Sequence, residues 1–396
     1  MNNIVKIGVF GTKRGKSFIN AFKDVDGVKV TALCDKNTAA LDSAAALCDP
    51  DVQKYTDFDE FIEKSGIDAV VLTNYFHQHT PFAIKAMERG IHVLSETTPA
   101  STMAECVALC RAVERTGCKY MLAENYPFMC SCIELKRVYE SGKLGPVMYA
   151  EGEYVHPMSA ADSNSISPGE FHWRRWLPRT YYLTHSLAPL MHMTGAMPLK
   201  VNARTSWRPE YSLERGRAVG DGHSTIMLAM DNDSVFRVAG SCCFGPHGNW
   251  YRLGCLRGGI ETVRGDQSSV RLVYNSWETP EGEESRTYTA EWRELGELAS
   301  KAGHGGGDFW VCYHFARYLT DDVKPFFDVY RSTAMSAVAI LAWRSVLEDG
   351  ATKTVPDFSD EEQRKLWEND TATPFPTDEN GMAAVSMPCS SREFKV

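Results

Sequence analysis

The stretch 67–99, IDAVVLTNYFHQHTPFAIKAMERGIHVLSETTP, decides the fold. It reads as an apolar strand, DAVVLTN, a polar turn with His77 and His79, a helix, PFAIKAMERG, and a second strand, IHVLSE, that ends on Glu96. Strands apolar along their whole length and joined through a helix are parallel strands buried on both faces. In a doubly wound sheet ligands gather at the carboxyl ends of the strands, so Asn74, His77, His79 and Glu96 are expected around one crevice that takes a cofactor.

The same alternation extends through the first 125 residues. VKIGVFG, VKVTALCD and KYMLAEN read as further strands, with helices over Lys16 to Lys23, Asn37 to Cys48, Asp57 to Lys64 and TMAECVALCRAVERTG. Residues 1–126 are therefore expected to form a Rossmann-type, doubly wound parallel sheet. Beyond a helix over Ile133 to Ser141 the pattern changes to period two, in VMYAEGEYVHP, STIMLAMDN, SVFRVAGSCCF, YRLGCLRG, GIETVRG and SVRLVYN, divided by Gly, Asn and Asp turns. Residues 127–350 are expected to form an α+β domain around a large, mostly antiparallel sheet with one open face, which binds substrate and mediates oligomerisation. A helix from Arg331 to Glu348 carries apolar residues at helical spacing, and 351–396, rich in Asp, Glu, Pro and Ser, reads as an extended tail.

At 396 residues the chain is long enough for two unstapled cores. Its 42 Lys and Arg stand against 51 Asp and Glu, with no basic stripe to track phosphates, so nucleic acid is not an expected partner. No apolar run approaches the ~20 residues of a membrane span, and MNNIVKIGVF enters a strand without a leader pattern, so a cytoplasmic protein is expected. The 12 cysteines are scattered through apolar patterns, as at Cys34, Cys106, Cys110 and Cys312, and read as buried free thiols. The close-set groups, Cys130 with Cys132 and the Cys242–Cys243 pair, lack zinc-site spacing, and no His-Glu-x-x-His pattern occurs, so no metal is expected.

The first strand runs into Gly8-Val-Phe-Gly11-Thr12-Lys13-Arg14-Gly15, where glycines and a helix N-terminus suit close approach of a pyrophosphate, although the usual middle glycine is absent. Asp35 ends the second strand, 24 residues after Gly11, where a carboxylate can accept hydrogen bonds from a ribose diol. The alternative for the glycines is a simple tight turn, and for Asp35 a helix cap. A carboxylate there favours NAD, while Lys13, Arg14 and Lys36 offset its repulsion of a 2'-phosphate and keep NADP open.

With the strand order, His79 and Glu96 in view, the chain resembles the glucose-fructose oxidoreductase, inositol dehydrogenase and MocA family (Gfo/Idh/MocA) over nearly its whole length. In that family a His stands 17 residues before the Glu of a Glu-Lys-Pro signature, and His79 and Glu96 keep the interval. Gly258-Gly-Ile-Glu261 and His304-Gly-Gly-Gly-Asp308 are similar to other recurrent segments of the family. The chain reads Glu96-Thr97-Thr98-Pro99, so the signature Lys is absent. Tyr182, Thr184, His185, Leu187 and Pro189 match a Tyr-Pro-Thr-His-Gly-Leu-Gly-Pro motif of a branch containing NAD-dependent glycosidases, and Ala123-Glu124-Asn125-Tyr126 and the Glu368–Pro376 segment also resemble that branch. The resemblance implies a nicotinamide cofactor and places Asn125 beside it.

Oxidising a secondary alcohol needs a base within reach of the hydroxyl proton. Without the Lys, His185 and Tyr182 are the candidates, three apart and on one face if helical, with the imidazole as principal base. His185 alternatively packs as a core histidine between leucines. Tyr126, His156, Trp173, Arg174 and His304 are candidate contacts to a small carbohydrate, the tryptophan and arginine by stacking and forked hydrogen bonds. The leading expectation is an NAD(P)-dependent oxidoreductase acting on a secondary hydroxyl of a sugar or glycoside. Close behind stands a redox-neutral glycosidase, which oxidises carbon 3, eliminates at carbons 2 and 1, adds water and restores the hydride. A non-catalytic nucleotide-binding sensor is the third. The open sheet face, expected to be half apolar, suggests a homo-oligomer, dimer or tetramer.

Overall fold

The computed structural model describes residues 4–167, 169, 172–241 and 245–375. They fall into two compact units, each assembled from separated pieces of chain. The Cys242–Cys243 pair and positions 376–396 lie outside the described residues.

The first unit comprises Met1–Met129, Arg293–Thr333 and Asp357–Asn369. Its strands are β1 (Val5–Phe10), β2 (Val28–Cys34), β3 (Gln53–Tyr55), β4 (Ala69–Leu72), β5 (His92–Ser95) and β6 (Tyr120–Leu122), all parallel, in the order β3-β2-β1-β4-β5-β6. The order reverses between β1 and β4, where Phe10 is in register with Leu72, so the ligand crevice of such a sheet opens there. Ile7, Val9, Val70, Leu72, Val93 and Leu94 have no exposed surface, as strands covered on both faces require.

Five helices join these strands: α1 (Thr12–Phe22), α2 (Thr38–Ala45), α3 (Phe58–Lys64), α4 (His79–Met87) and α5 (Met103–Thr116). Asn37 and Asp57 cap α2 and α3, and Thr102 with Glu105 forms a capping box on α5. Helix α1 begins at Thr12, four residues before the expected start, because Gly11 takes a left-handed conformation (φ 92°) that turns the chain directly out of β1.

The contiguous division expected at residues 126 and 350 gives way to a chain that returns. A helix over Gly307–Asp321, absent from the sequence reading, packs on α1, the Leu122 N–H donates to the Phe327 carbonyl at 3.1 Å, and part of the expected tail joins this unit through Arg111 and Glu361 at 2.5 Å.

The second unit comprises Cys130–Trp292, Ala334–Pro356 and Asp370–Val396. Its strands are β7 (Val147–Val155), β8 (Pro198–Trp207), β9 (Asp221–Met230), β10 (Val235–Ser241), β11 (Gly248–Cys255), β12 (Gly258–Val263), β13 (Asp266–Tyr274), β14 (Arg286–Thr289) and β15 (Lys353–Thr354), ordered β14-β13-β12-β11-β7-β10-β9-β8-β15. Among the described residues only the pairing of β7 with β10 is parallel, because the chain between them leaves the sheet and comes back through β8 and β9.

On one face of this sheet the helix Thr184–Thr194 lies so close to β7 that a Cβ at Gly152 would stand 2.0 Å from the Ser186 carbonyl. The opposite face is not the half-apolar surface expected. Arg237 pairs with Glu151 at 2.9 Å and Glu153 at 3.1 Å, Arg252 pairs with Glu151, and Arg264 pairs with Glu153 while covering Trp250. Among the described residues no helix is long and apolar enough to cross a membrane.

Candidate active site

The turn after β1 is built for close approach. A Cβ at Gly11 would stand 2.5 Å from the Thr73 carbonyl oxygen and 2.7 Å from the Asn74 nitrogen, and one at Gly15 would stand 2.5 Å from Val9. Both positions therefore admit only glycine, one for the turn at the crevice and one for packing α1 on its strand. Gly8, expected to serve a cofactor, instead lies inside β1, where a Cβ would meet Phe61 and Ile67, so its smallness serves the core.

Asp35 ends β2 as expected. Its Oδ2 accepts from the Thr12 N–H at 2.6 Å and from the Thr12 hydroxyl at 2.8 Å, and its Oδ1 accepts from the Asn37 N–H at 2.9 Å. The carboxylate thus caps α1 and is held at the edge of the crevice. Lys13 is exposed in the first turn of α1.

The other strand ends contribute polar groups with unspent capacity. Both polar atoms of the Asn74 side-chain amide, after β4, are buried with no partner, and so is Oδ1 of Asn125 after β6. Buried amide atoms without partners are uncommon, and these follow β4, the neighbour of β1, and β6, the edge strand on the same side. The residues present fit a dinucleotide: a tight turn, a helix N-terminus, an anchored carboxylate, the unpartnered amide of Asn74 and the unpartnered amide oxygen of Asn125.

His79 is enclosed. Its Nδ1 lies 2.8 Å from the Thr98 carbonyl and its Nε2 3.3 Å from that of Asn74, and burial pushes its pKa down. It holds the two loops at the mouth of the crevice together.

Arg14 does not face outward with Lys13. Its Nε donates to Glu96 at 2.6 Å, and its terminal nitrogens donate to Asp308 at 2.9 and 3.3 Å. Asp308 also accepts from the Asn125 amide at 2.8 Å and lies 2.9 Å from Nδ1 of His304. Burial alone pushes the Asp308 carboxyl up, but the hydrogen bonds from His304 and Arg14 outweigh it and hold the group well below the usual carboxylate range.

Glycines permit this closure: a Cβ at Gly307 would stand 2.3 Å from the Asn125 carbonyl, and one at Gly303 would stand 2.8 Å from Asp308. Tyr126 lies with its ring 6.3 Å from that of His304. Asp308 carries this cluster and was missed as a site residue. The signal available was an acidic residue opening a helix four positions after His304.

In the second unit His185 stands in the first turn of the helix Thr184–Thr194. Its ring meets Tyr154 edge-on at 4.8 Å and Tyr182 at 5.2 Å, and its carbonyl accepts from the Tyr251 hydroxyl at 2.6 Å. Tyr154 leads on to His156 at 5.9 Å, and His156 to His247 at 4.5 Å. Burial and then the neighbouring His247 push the His156 pKa down, with Arg174 adding to the effect. Arg174 covers the Trp173 ring at 4.3 Å.

The segment carrying Tyr182 is anchored by a buried pair, Arg217 and Asp221 at 2.7 Å, with Asp221 also accepting from the Arg179 N–H. The expected residues Tyr182, His185 and His156 thus form one cluster, to which the structure adds Tyr154 and His247. Among the described residues no group of three or more His, Cys, Asp or Glu side chains is placed to hold a metal ion.

Residues 5–124 match the GFO_IDH_MocA family, described as an oxidoreductase family with an NAD-binding Rossmann fold, and residues 258–365 match the C-terminal domain of glycosyl hydrolase 109. A "Glycosyl hydrolase family 109 protein" of Solibacter usitatus is 27% identical, the match covering 90% of this chain and 89% of the relative. An "Alpha-N-acetylgalactosaminidase" of Shewanella oneidensis is 22% identical, over 92% of this chain and 86% of the relative. Among solved structures, levoglucosan dehydrogenase in complex with NADH and levoglucosan superposes with a TM-score of 0.75 at 19% identity, covering 89% of this chain and 99% of that one. An oxidoreductase of Agrobacterium radiobacter in complex with NAD+, L-tartaric acid and magnesium gives 0.73 at 17%, over 89% and 99%. These two likenesses are of fold.

Proposed function

We propose that this protein, whose residues 5–124 match the Gfo/Idh/MocA family and whose residues 258–365 match the glycosyl hydrolase 109 C-terminal domain, is an NAD-dependent enzyme that cleaves a glycoside by transient oxidation of a ring hydroxyl. Bound NAD supplies a hydride acceptor that returns the hydride within each turnover. The turn at Gly11, Thr12 and Gly15 would hold the pyrophosphate at the start of α1 with Lys13 beside it, Asp35 would accept from a ribose hydroxyl, and the amide of Asn74 and the amide oxygen of Asn125 would meet the remaining polar edges. With Arg14 drawn to Glu96 and Asp308, one of the cations that would offset a 2'-phosphate is committed elsewhere, which supports NAD over NADP.

The observation that carries the glycosidase reading is the His304–Asp308 pair, 2.9 Å apart beside Asn125. Alcohol oxidation needs one base, which His185 supplies by taking the hydroxyl proton, with Tyr182 against its ring. Elimination needs a second group, to take the proton from carbon 2 as the carbon 1–oxygen bond breaks or to protonate the departing oxygen. His304 is that group. Its Nδ1 side is anchored on an ionised carboxylate, which leaves Nε2 for substrate. Tyr126 in the first unit, and His156, Trp173 and Arg174 in the second, are the candidate contacts to the sugar.

By likeness to the Shewanella oneidensis relative, an α-N-acetylgalactosaminide is the first substrate to try. An aryl glycoside should release its phenol without growth of NADH absorbance. The second reading, a plain sugar dehydrogenase, is favoured by the fold shared with levoglucosan dehydrogenase, and would show NADH growth with a free sugar. The sensor alternative gives way to the enzyme families matched. Cytoplasmic residence and a homo-oligomer assembled through the Arg and Glu face of the nine-stranded sheet are parts of the same proposal, the second open to sedimentation velocity.

A further inference from the structure

We propose that Arg14 is a positioning residue that couples the seating of the dinucleotide to the His304–Asp308 pair. The proposal rests on the reading of His304 as an acid/base group. Arg14 stands in the first turn of α1, in the Gly11–Gly15 segment that faces a pyrophosphate, yet its guanidinium leaves that segment and bridges two carboxylates from distant parts of the chain. Nε donates to Glu96 at the end of β5, and the two terminal nitrogens fork onto Asp308. The side of the head group rests on the Phe18 ring at 4.8 Å.

Three consequences follow from the chemistry of that fork. Asp308 is 1% exposed, and a buried carboxylate persists only when paired and hydrogen-bonded, so the fork from Arg14 acts with His304 and the Asn125 amide to keep it ionised. An ionised Asp308 accepts from Nδ1–H of His304 and thereby selects the tautomer whose Nε2 is open. A guanidinium spans both carboxylates in one plane, whereas an ammonium is a point donor that serves one of them well. Any displacement of the α1 turn on binding the dinucleotide is transmitted through Arg14 to Asp308 and so to His304.

The test uses the full chain labelled with 15N-histidine, the variants Arg14→Lys and Asp308→Asn, and His304→Gln to assign the signal. At about pH 9, where imidazoles are neutral, the parent should show His304 as a single Nδ1–H tautomer, and addition of NAD+ should shift that signal. Arg14→Lys, which keeps the charge, should give a mixture of tautomers and a His304 signal that NAD+ no longer moves, while calorimetry still detects NAD+ binding. Asp308→Asn should lose the single tautomer as well. An Arg14→Lys protein with the parental tautomer and the parental response to NAD+ overturns the proposal. Should the parent fail to bind NAD+, the cofactor reading falls, and the tautomer in Arg14→Lys still decides the role of Arg14.

Discussion

Asp308 and His304 meet at 2.9 Å through Oδ2 and Nδ1, and the carboxylate of this pair is 1% exposed while the imidazole side chain is 41% exposed. One partner is fixed in the interior and the other reaches out from it. That asymmetry is what an acid/base group with a buried orienting carboxylate requires.

The sign of the Asp308 shift makes an acid-stability prediction. A carboxyl whose folded-state pKa lies below its unfolded value, near ~3.9, contributes stability that is fully present above that value and is lost as pH falls toward the folded pKa. Denaturant unfolding between about pH 6 and pH 3 should therefore cost the parent more stability than Asp308→Asn. Equal losses in the two proteins would remove the ionised carboxylate from the account. Turnover of Asp308→Asn should fall by roughly 10- to 100-fold through misdirection of His304.

Gly11→Ala combines a left-handed backbone (φ 92°) with a Cβ 2.5 Å from the Thr73 carbonyl. The conformational penalty alone is about 1–2 kcal/mol, and the clash adds to it. Urea unfolding should show a loss above that range, and NAD+ affinity should fall in the molecules that remain folded. A variant with parental stability and affinity would mean that the turn is not the tight approach described.

Asp35→Ala separates two duties of one carboxylate. Loss of the cap on Thr12 should destabilise by about 1 kcal/mol. Loss of the ribose contact should weaken NAD+ more than NADP+, so the ratio of the two dissociation constants, measured by calorimetry, should shift toward NADP+. An unchanged ratio leaves Asp35 with only its capping duty.

His185→Gln keeps bulk against Tyr154 and Tyr182 and removes the base, so kcat should fall about a hundredfold with little change in melting temperature. A low melting temperature with activity retained per folded molecule would mark a packing histidine. Gly152→Ala approaches the same residue from behind: its Cβ at 2.0 Å from the Ser186 carbonyl must push the helix Thr184–Thr194 off the sheet. Overpacking of this kind costs about 1–3 kcal/mol, and activity should fall with it.

The parallel sheet could be read from residues because each of its strands is apolar throughout, and the crevice followed from the strand ends at Gly11, Asn74 and Glu96. What could not be read was the return of the chain. Arg14 and Asp308 are 294 positions apart, and no local pattern pairs them. Arg14 beside Lys13 therefore read as a phosphate-facing cation, and it turned inward to two carboxylates. His304-Gly-Gly-Gly-Asp308 read only as a family-like segment, which concealed that Gly306, at φ 91°, caps the helix Gly307–Asp321. His79 read as a crevice contact because it follows a strand, but the chain folds back there so that the residue opens α4 facing inward. The second sheet's open face read as half apolar because its alternating Arg and Glu pair across neighbouring strands, which no single strand reveals.

The central claim is that a hydride leaves and returns within one turnover of a glycoside. Its most direct test is to incubate the protein, NAD+ and an aryl α-N-acetylgalactosaminide in deuterated water and to record phenol release, NADH absorbance and deuterium in the sugar product together. The account predicts phenol release without NADH growth, and a product carrying deuterium at carbon 2. Phenol release with hydrogen retained at carbon 2, or NADH rising in step with the phenol, would contradict it.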